Sequence, residues 1–334
     1  MTLRRAVLSA LAAAVLLFAG CGSGGDDPTA GRRAVTVVLD WTPNTNHSGL
    51  YLAKQTGLYD RAGLDVQIIE PDQAGGIPQV AAGNATFGFS YAEQVLPARE
   101  QGTPVVSIAT VLTTNTSSLV SPTDRGIRRP RDLVGKTYGT FGGAIETPLI
   151  KELVRCDGGD PDAVKFVEVG NADYNVGFRK RAYDAVWVFD GWDVIRLRRI
   201  AKTPVTTIPF RRHLDCIPDW YTPVLVATEK TLQNDPGLVR EFLAATSAGY
   251  RAAAADPAAA ATALIDAVPE LDRRLVDASA RFLAPFYINR TGAWGRQELA
   301  VWERFDAFLR TARILTKPTP VASAYTNDYL PPPG

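Results

Sequence analysis

An apolar, β-branched run, Val35-Thr36-Val37-Val38-Leu39, breaks into Asp40-Trp41-Thr42-Pro43-Asn44-Thr45-Asn46-His47 and then into Ser48-Gly49-Leu50-Tyr51. β-Branched residues favour strands, and a serine ahead of an apolar helical pattern marks a helix start. The segment therefore predicts a strand whose C-terminal end spills into a helix N-terminus. Open α/β sheets hold small ligands at such junctions. One indole among several amides and hydroxyls suits a flat heteroaromatic ligand, offering a ring to stack on and partners for its edge. The alternative is an ordinary polar loop capped by Ser48.

The strand–helix unit recurs along the chain. Apolar runs predict strands over 35–39, 64–69, 85–91 and 105–111, separated by helical patterns over 49–59, from 78 and over 93–101. A second block begins near Thr123. There, 126–139 reads as a short exposed helix entering a strand, 147–155 as a helix, and 164–169, 185–189 and 205–208 as strands. A return strand follows over 224–228, and helices continue to Ala312. Such alternation predicts parallel α/β layers. The order fits discontinuous lobes: 34–117 plus 224–334 as the first, with 118–223 inserted as the second.

Arg4 and Arg5 precede an apolar run over 6–18, followed by Ala19-Gly20-Cys21. This is the pattern of a cleaved secretory leader over 1–20. The ending resembles a bacterial lipobox, with Phe18 where leucine is usual, and implies Cys21 as a lipidated mature N-terminus. Residues 21–33 read as a flexible tether, rich in Gly, Ser and Asp. The expected product is an extracytoplasmic body anchored to the cell membrane by lipid.

The 36 basic and 35 acidic residues nearly cancel, and no basic face for nucleic acid stands out. With only His47 and His213 as imidazoles, neither a metal centre nor a nucleophile–histidine dyad is expected. Cys156 and Cys216 could pair in an oxidising compartment, and the sequence leaves that open.

The segments Asp40–His47, 87–94 (Phe-Gly-Phe-Ser-Tyr-Ala-Glu-Gln), Asn115-Thr116-Ser117, 136–139, 186–192 and 220–224, with Trp294-Gly295 and Val301-Trp302, carry a family likeness. Together they resemble the solute-binding proteins of ABC importers, closest to those for pyrimidine precursors of thiamine, in the superfamily that also holds the fungal pyrimidine synthase. The resemblance covers the mature chain. It implies a bilobal, type-2 periplasmic-binding-protein fold of two α/β lobes joined by two hinge crossovers, near 113–118 and 219–224. It also implies a monomer that takes formylaminopyrimidine or hydroxymethylpyrimidine in the cleft and delivers it to separate permease and ATPase subunits. No cofactor and no catalysis are implied, since the synthase branch carries a tight cysteine cluster that this chain lacks. Other readings are a binder of another flat heterocycle such as riboflavin, or a sensor or scavenging module without an importer.

Candidate ligand-binding residues follow from both lines. Trp41 would stack the ring, while Asn44 and Asn46 either read its edge or satisfy their own loop. His47 caps the adjacent helix or lines the cleft. Tyr91 forms a pocket wall, and Glu93 is either a further contact or a first-turn carboxylate held by the helix dipole. Asn115 and Thr116 are polar edges or hinge partners. Gly142 and Gly143, in Phe141-Gly142-Gly143-Ala144-Ile145-Glu146, allow backbone N–H groups close to a ligand. The resemblance adds Glu146 as the partner of an aminopyrimidine. It also makes Asp190 a departure, because an aromatic residue commonly precedes this Gly-Trp pair; either Trp192, Phe141 or Tyr221 supplies the second ring face, or Asp190 accepts from an amine or hydroxyl of the ligand.

Overall fold

The computed structural model describes residues 31–72, 75–170, 173–318 and 320–332. The expected leader, the lipidation position Cys21 and the tether up to residue 30 lie outside them. Arg33, placed at the end of the tether, already opens the first strand.

The first block contains β1 (Arg33–Val38), α1 (Ser48–Gln55), α2 (Leu58–Arg61), β2 (Leu64–Ile69), α3 (Gly76–Ala81), β3 (Phe87–Ser90), α4 (Ala92–Glu100) and β4 (Val105–Thr110). The helix expected over 49–59 is split because Gly57 adopts φ 68°, a left-handed geometry that ends α1 and restarts the chain as α2. The second block runs β5 (Ser117–Pro122), β6 (Thr137–Thr140), α5 (Glu146–Cys156), β7 (Lys165–Glu168), α6 (Tyr174–Arg179), β8 (Ala185–Phe189) and β9 (Val205–Pro209). The chain then returns through β10 (Val224–Thr228) into α7 (Glu229–Asn234), α8 (Pro236–Ala255), α9 (Pro257–Ala267), α10 (Arg273–Tyr287) and α11 (Leu299–Thr311). No helix among the described residues is long and apolar enough to cross a membrane.

Two five-stranded sheets result, ordered β2-β1-β3-β10-β4 and β7-β6-β8-β5-β9. Each repeats one plan: the second, first and third strands run parallel, and a strand arriving from the other block is inserted before the fourth. The layers expected to be parallel are mixed. β10 is antiparallel to β3 and β4, and β5 is antiparallel to β8 and β9. Each inserted strand is the first that the chain makes after crossing, so the crossover fixes its reversed direction. β5 escaped the sequence reading because Ser117, Ser118 and Ser121 dilute its apolar pattern, yet it is central and buried along its whole length.

The two sheets with their helices form the lobes of a bilobal α/β fold. Their cores meet at Trp220 in the second crossover, which stacks on Phe305 of α11 (5.3 Å, 7°) and stands edge-on to Trp187 of β8 (5.7 Å, 87°). Trp187 is thus a core residue rather than a cleft residue. In the first lobe α1 and α8 approach so closely that a Cβ on Gly249 would fall 2.2 Å from the Gly49 carbonyl oxygen. That approach brings Tyr250 under the loop after β1, where its hydroxyl donates to the Asn46 carbonyl (2.6 Å). Tyr287 of α10 donates likewise to the Thr45 carbonyl (2.6 Å). A disulfide joins Cys156, at the end of α5, to Cys216 beyond β9, with a Cα–Cα distance of 5.7 Å.

Candidate ligand-binding site

The loop after β1 is held by polar side chains that serve its own backbone. Asn44 accepts from the Asn46 N–H (2.9 Å) and donates to the Thr42 carbonyl (2.9 Å). His47 is fully buried; its Nδ1 accepts from the Asn44 N–H (3.1 Å), which places the ring proton on Nε2, 2.7 Å from Asp40. Both the Asn44 and His47 side chains make hydrogen bonds that shape their own turn. Trp41 is 38 % exposed, the one aromatic among the exposed large apolar residues of the described chain.

Asp40 holds a second group. Tyr91, at the end of β3, hydrogen-bonds to it, and burial together with this carboxylate pushes the Tyr91 phenol well above its ordinary range. Two residues on, Glu93 accepts from the Trp220 indole N–H (2.9 Å). Burial raises the Glu93 carboxyl from 4.5 to about 8, so it is largely protonated at neutral pH.

The crossovers run beside this wall. The Ala92 N–H donates to the Tyr221 carbonyl (3.0 Å), and the Val111 N–H to that of Pro223 (3.0 Å). Asp219 ties the crossovers together, accepting from Thr114 Oγ1 (2.6 Å) and the backbone N–H of Asn115 (2.9 Å) and Trp220 (3.0 Å). Burial holds its carboxyl above the usual aspartate value. Asn115 spends its side-chain oxygen on the Ser117 N–H (2.7 Å). Its Nδ2, with Ser117 Oγ and Thr222 Oγ1, is buried without a hydrogen-bond partner among the described residues. Unpartnered buried polar atoms are costly, and these three, among others spread over both lobes, lie on the segments that pass between the lobes. Asn115 was named from the sequence. Ser117 and Thr222 lie in segments that carry the family likeness, but a single hydroxyl there does not mark a ligand contact. Tyr221 is pinned to the first lobe, its hydroxyl accepting from the Glu298 N–H (2.9 Å), with its ring packed near Trp302.

In the second lobe, Gly142 and Gly143 are exposed, and Gly142 takes φ 91°. Glu146 is buried beneath them. One carboxylate oxygen accepts from Tyr138 Oη (2.8 Å), the other from Thr140 Oγ1 (2.7 Å), Phe141 N–H (2.8 Å) and Gly143 N–H (3.3 Å). Glu146 thus holds the glycine loop in shape, and Phe141 packs edge-on against Tyr174. Asp190 is also engaged internally, accepting from Ser118 Oγ and pairing with Arg211 (2.8 Å). It forms an ion pair where an aromatic wall is common. Trp192 packs half-buried against the core of the first lobe. The lobes touch directly at Ser279 of α10, whose hydroxyl contacts both Thr45 Oγ1 and the Gly191 carbonyl. Nothing in the helical pattern of α10 distinguished Ser279.

The model of the family described as NMT1/THI5 like matches residues 44–260, which span the Trp41 loop's helix start, both crossovers and the whole second lobe. The chain belongs to this family. It is 27% identical over 320 residues to the formylaminopyrimidine-binding protein of Halalkalibacterium halodurans, covering 94% of this chain and 96% of that one. It is 26% identical over 299 residues to the 4-amino-5-hydroxymethyl-2-methylpyrimidine phosphate synthase of Legionella pneumophila, covering 89% and 92%. Among solved structures, the alkanesulfonate-binding protein SsuA of Xanthomonas axonopodis pv. citri, bound to MOPS, matches at TM-score 0.68 and 16% identity, covering 88% of this chain and 98% of that one. That likeness establishes the type-2 periplasmic-binding-protein fold.

Proposed function

We propose that this family member is the extracytoplasmic binding component of an ABC importer. It takes a thiamine-related pyrimidine, formylaminopyrimidine or hydroxymethylpyrimidine, between lobes formed by 34–117 plus 224–334 and by 118–223. The observation that carries the reading is the set of unpartnered buried atoms on the crossovers: Asn115 Nδ2, Ser117 Oγ and Thr222 Oγ1. An amide donor and two hydroxyls, each able to donate or accept, match the ring nitrogens and exocyclic amine of an aminopyrimidine. The exposed indole of Trp41 offers the stacking face, and Tyr91 is held on the neighbouring Asp40. The Gly142-Gly143 loop, set by Glu146, closes from the second lobe. Cys21 would anchor the protein by lipid to the outer face of the cell membrane, with permease and ATPase subunits as partners.

A binding rather than a catalytic role is supported by the state of the reactive groups. Cys156 and Cys216 are bonded to each other, and both ring nitrogens of His47 are engaged. Calorimetric titration of Thr222→Val and Trp41→Ala variants with formylaminopyrimidine tests the site. Each loses about tenfold or more in affinity, the worth of one hydrogen bond or stacked ring in a buried site. Wild-type affinity in both variants would move the ligand elsewhere.

A further inference from the structure

A polar cavity of about 570 Å³ lies on the seam between the lobes, reaching the first crossover only at Asp190. From the second lobe it is lined by Asp190, Arg198, Arg199, Arg211 and Arg212, and from the first by the face of α10 that carries Arg281. Five arginines thus surround one carboxylate, in a chain whose charges nearly cancel. That carboxylate is spent on Arg211, and Arg198 donates to the Val205 carbonyl (3.1 Å). Arg199, Arg212 and Arg281 have no ion-pair partner among the described residues.

The local backbone explains how the arginines converge. Residues Asp190–Val194 and Arg196–Ile200 form π-helical turns, whose i→i+5 bonding widens the repeat. Positions four to five apart then share a face, so Asp190, Val194 and Ile195, and Arg198 and Arg199 all line the same cavity. An ordinary helix would carry Arg199 round towards its neighbouring face.

We propose that this cavity binds a small oxyanion of at least two negative charges, bridging Arg281 of the first lobe to Arg199 and Arg212 of the second. Guanidinium groups form paired hydrogen bonds with phosphate and carboxylate oxygens alike. The volume suits a small molecule rather than a protein segment. Without an anion the three free cations oppose one another across the seam. With one bound, the same charges draw the lobes together, so this site acts on closure independently of what the crossover site holds.

The test is calorimetric titration of the full chain with inorganic phosphate, pyrophosphate and citrate at low ionic strength and again in added salt. Saturable binding of pyrophosphate or citrate is expected, weakening steeply with salt. Pyrophosphate favoured over citrate identifies phosphate-type ligands, and the reverse identifies polycarboxylates. Arg281→Ala and the double variant Arg199→Ala/Arg212→Ala each lower the affinity at least tenfold, while the exposed Arg251→Ala on α8 does not. Arg281→Glu abolishes binding without lowering the melting temperature, because the new carboxylate pairs internally with Arg199 and Arg212. The proposal is overturned if none of the three anions binds, or if binding is the same in the wild type, Arg281→Ala and the double variant.

Discussion

Glu93 should make the stability of this protein fall as pH rises through neutrality. Its carboxyl moves from 4.5 to about 8 on folding because it is enclosed against Trp220. Between those values the unfolded chain has released a proton that the folded chain still holds. Stability therefore declines with increasing pH across the window, and is level below and above it. Each pH unit is worth about 1.4 kcal/mol, so the gap amounts to roughly 5 kcal/mol for a fully enclosed carboxyl. Glu93 is only half-buried as a residue, and solvent screening brings the expected effect to about 2 kcal/mol. Glu93→Gln keeps an oxygen to accept from the Trp220 indole and removes the titration. In urea unfolding at several pH values, wild type and variant should be nearly equal at pH 4.5, with the variant ahead by about 2 kcal/mol at pH 8.5. Parallel profiles, or a variant that falls behind as pH rises, would refute the buried-acid reasoning.

Two further outcomes rest on the seam and on the disulfide. In Gly191→Ala the new Cβ would sit 2.9 Å from Leu283 Cγ and Cδ2 of α10, so the packing at the seam must shift; calorimetry should show ligand affinity reduced about tenfold, with a loss of about 1–3 kcal/mol in urea unfolding. In Cys156→Ser, opening a link between residues 60 apart should cost up to about 4 kcal/mol, read as a lower urea midpoint that reductant no longer changes.

The parts of the fold legible in the sequence are those with undiluted periodicity. The Val35–Leu39 run and the Val224–Thr228 return strand sit close to where their β-branched residues put them, at β1 and β10. β5 was hidden because a central strand needs only burial on both sides, and its three serines can meet that condition without an apolar signature. Asn44, His47 and Glu146 show the limit for the site. The groups that would read a heterocycle's edge are the same groups that cap a turn or hold a glycine loop, and only the hydrogen-bond partners separate the two uses. Asp190 illustrates the converse. Its departure from an aromatic was visible in the sequence, but its pairing with Arg211 and Ser118 depends on β5 and the turn after β9 meeting in space.

The central claim is that the space between the lobes takes a thiamine-related pyrimidine. Its most direct test is one calorimetric series on the purified chain with formylaminopyrimidine, hydroxymethylpyrimidine, thiamine and riboflavin. Saturable one-to-one binding of a pyrimidine precursor, micromolar or tighter and stronger than that of riboflavin, is the predicted result. Silence from both precursors, or riboflavin binding alone, would contradict it.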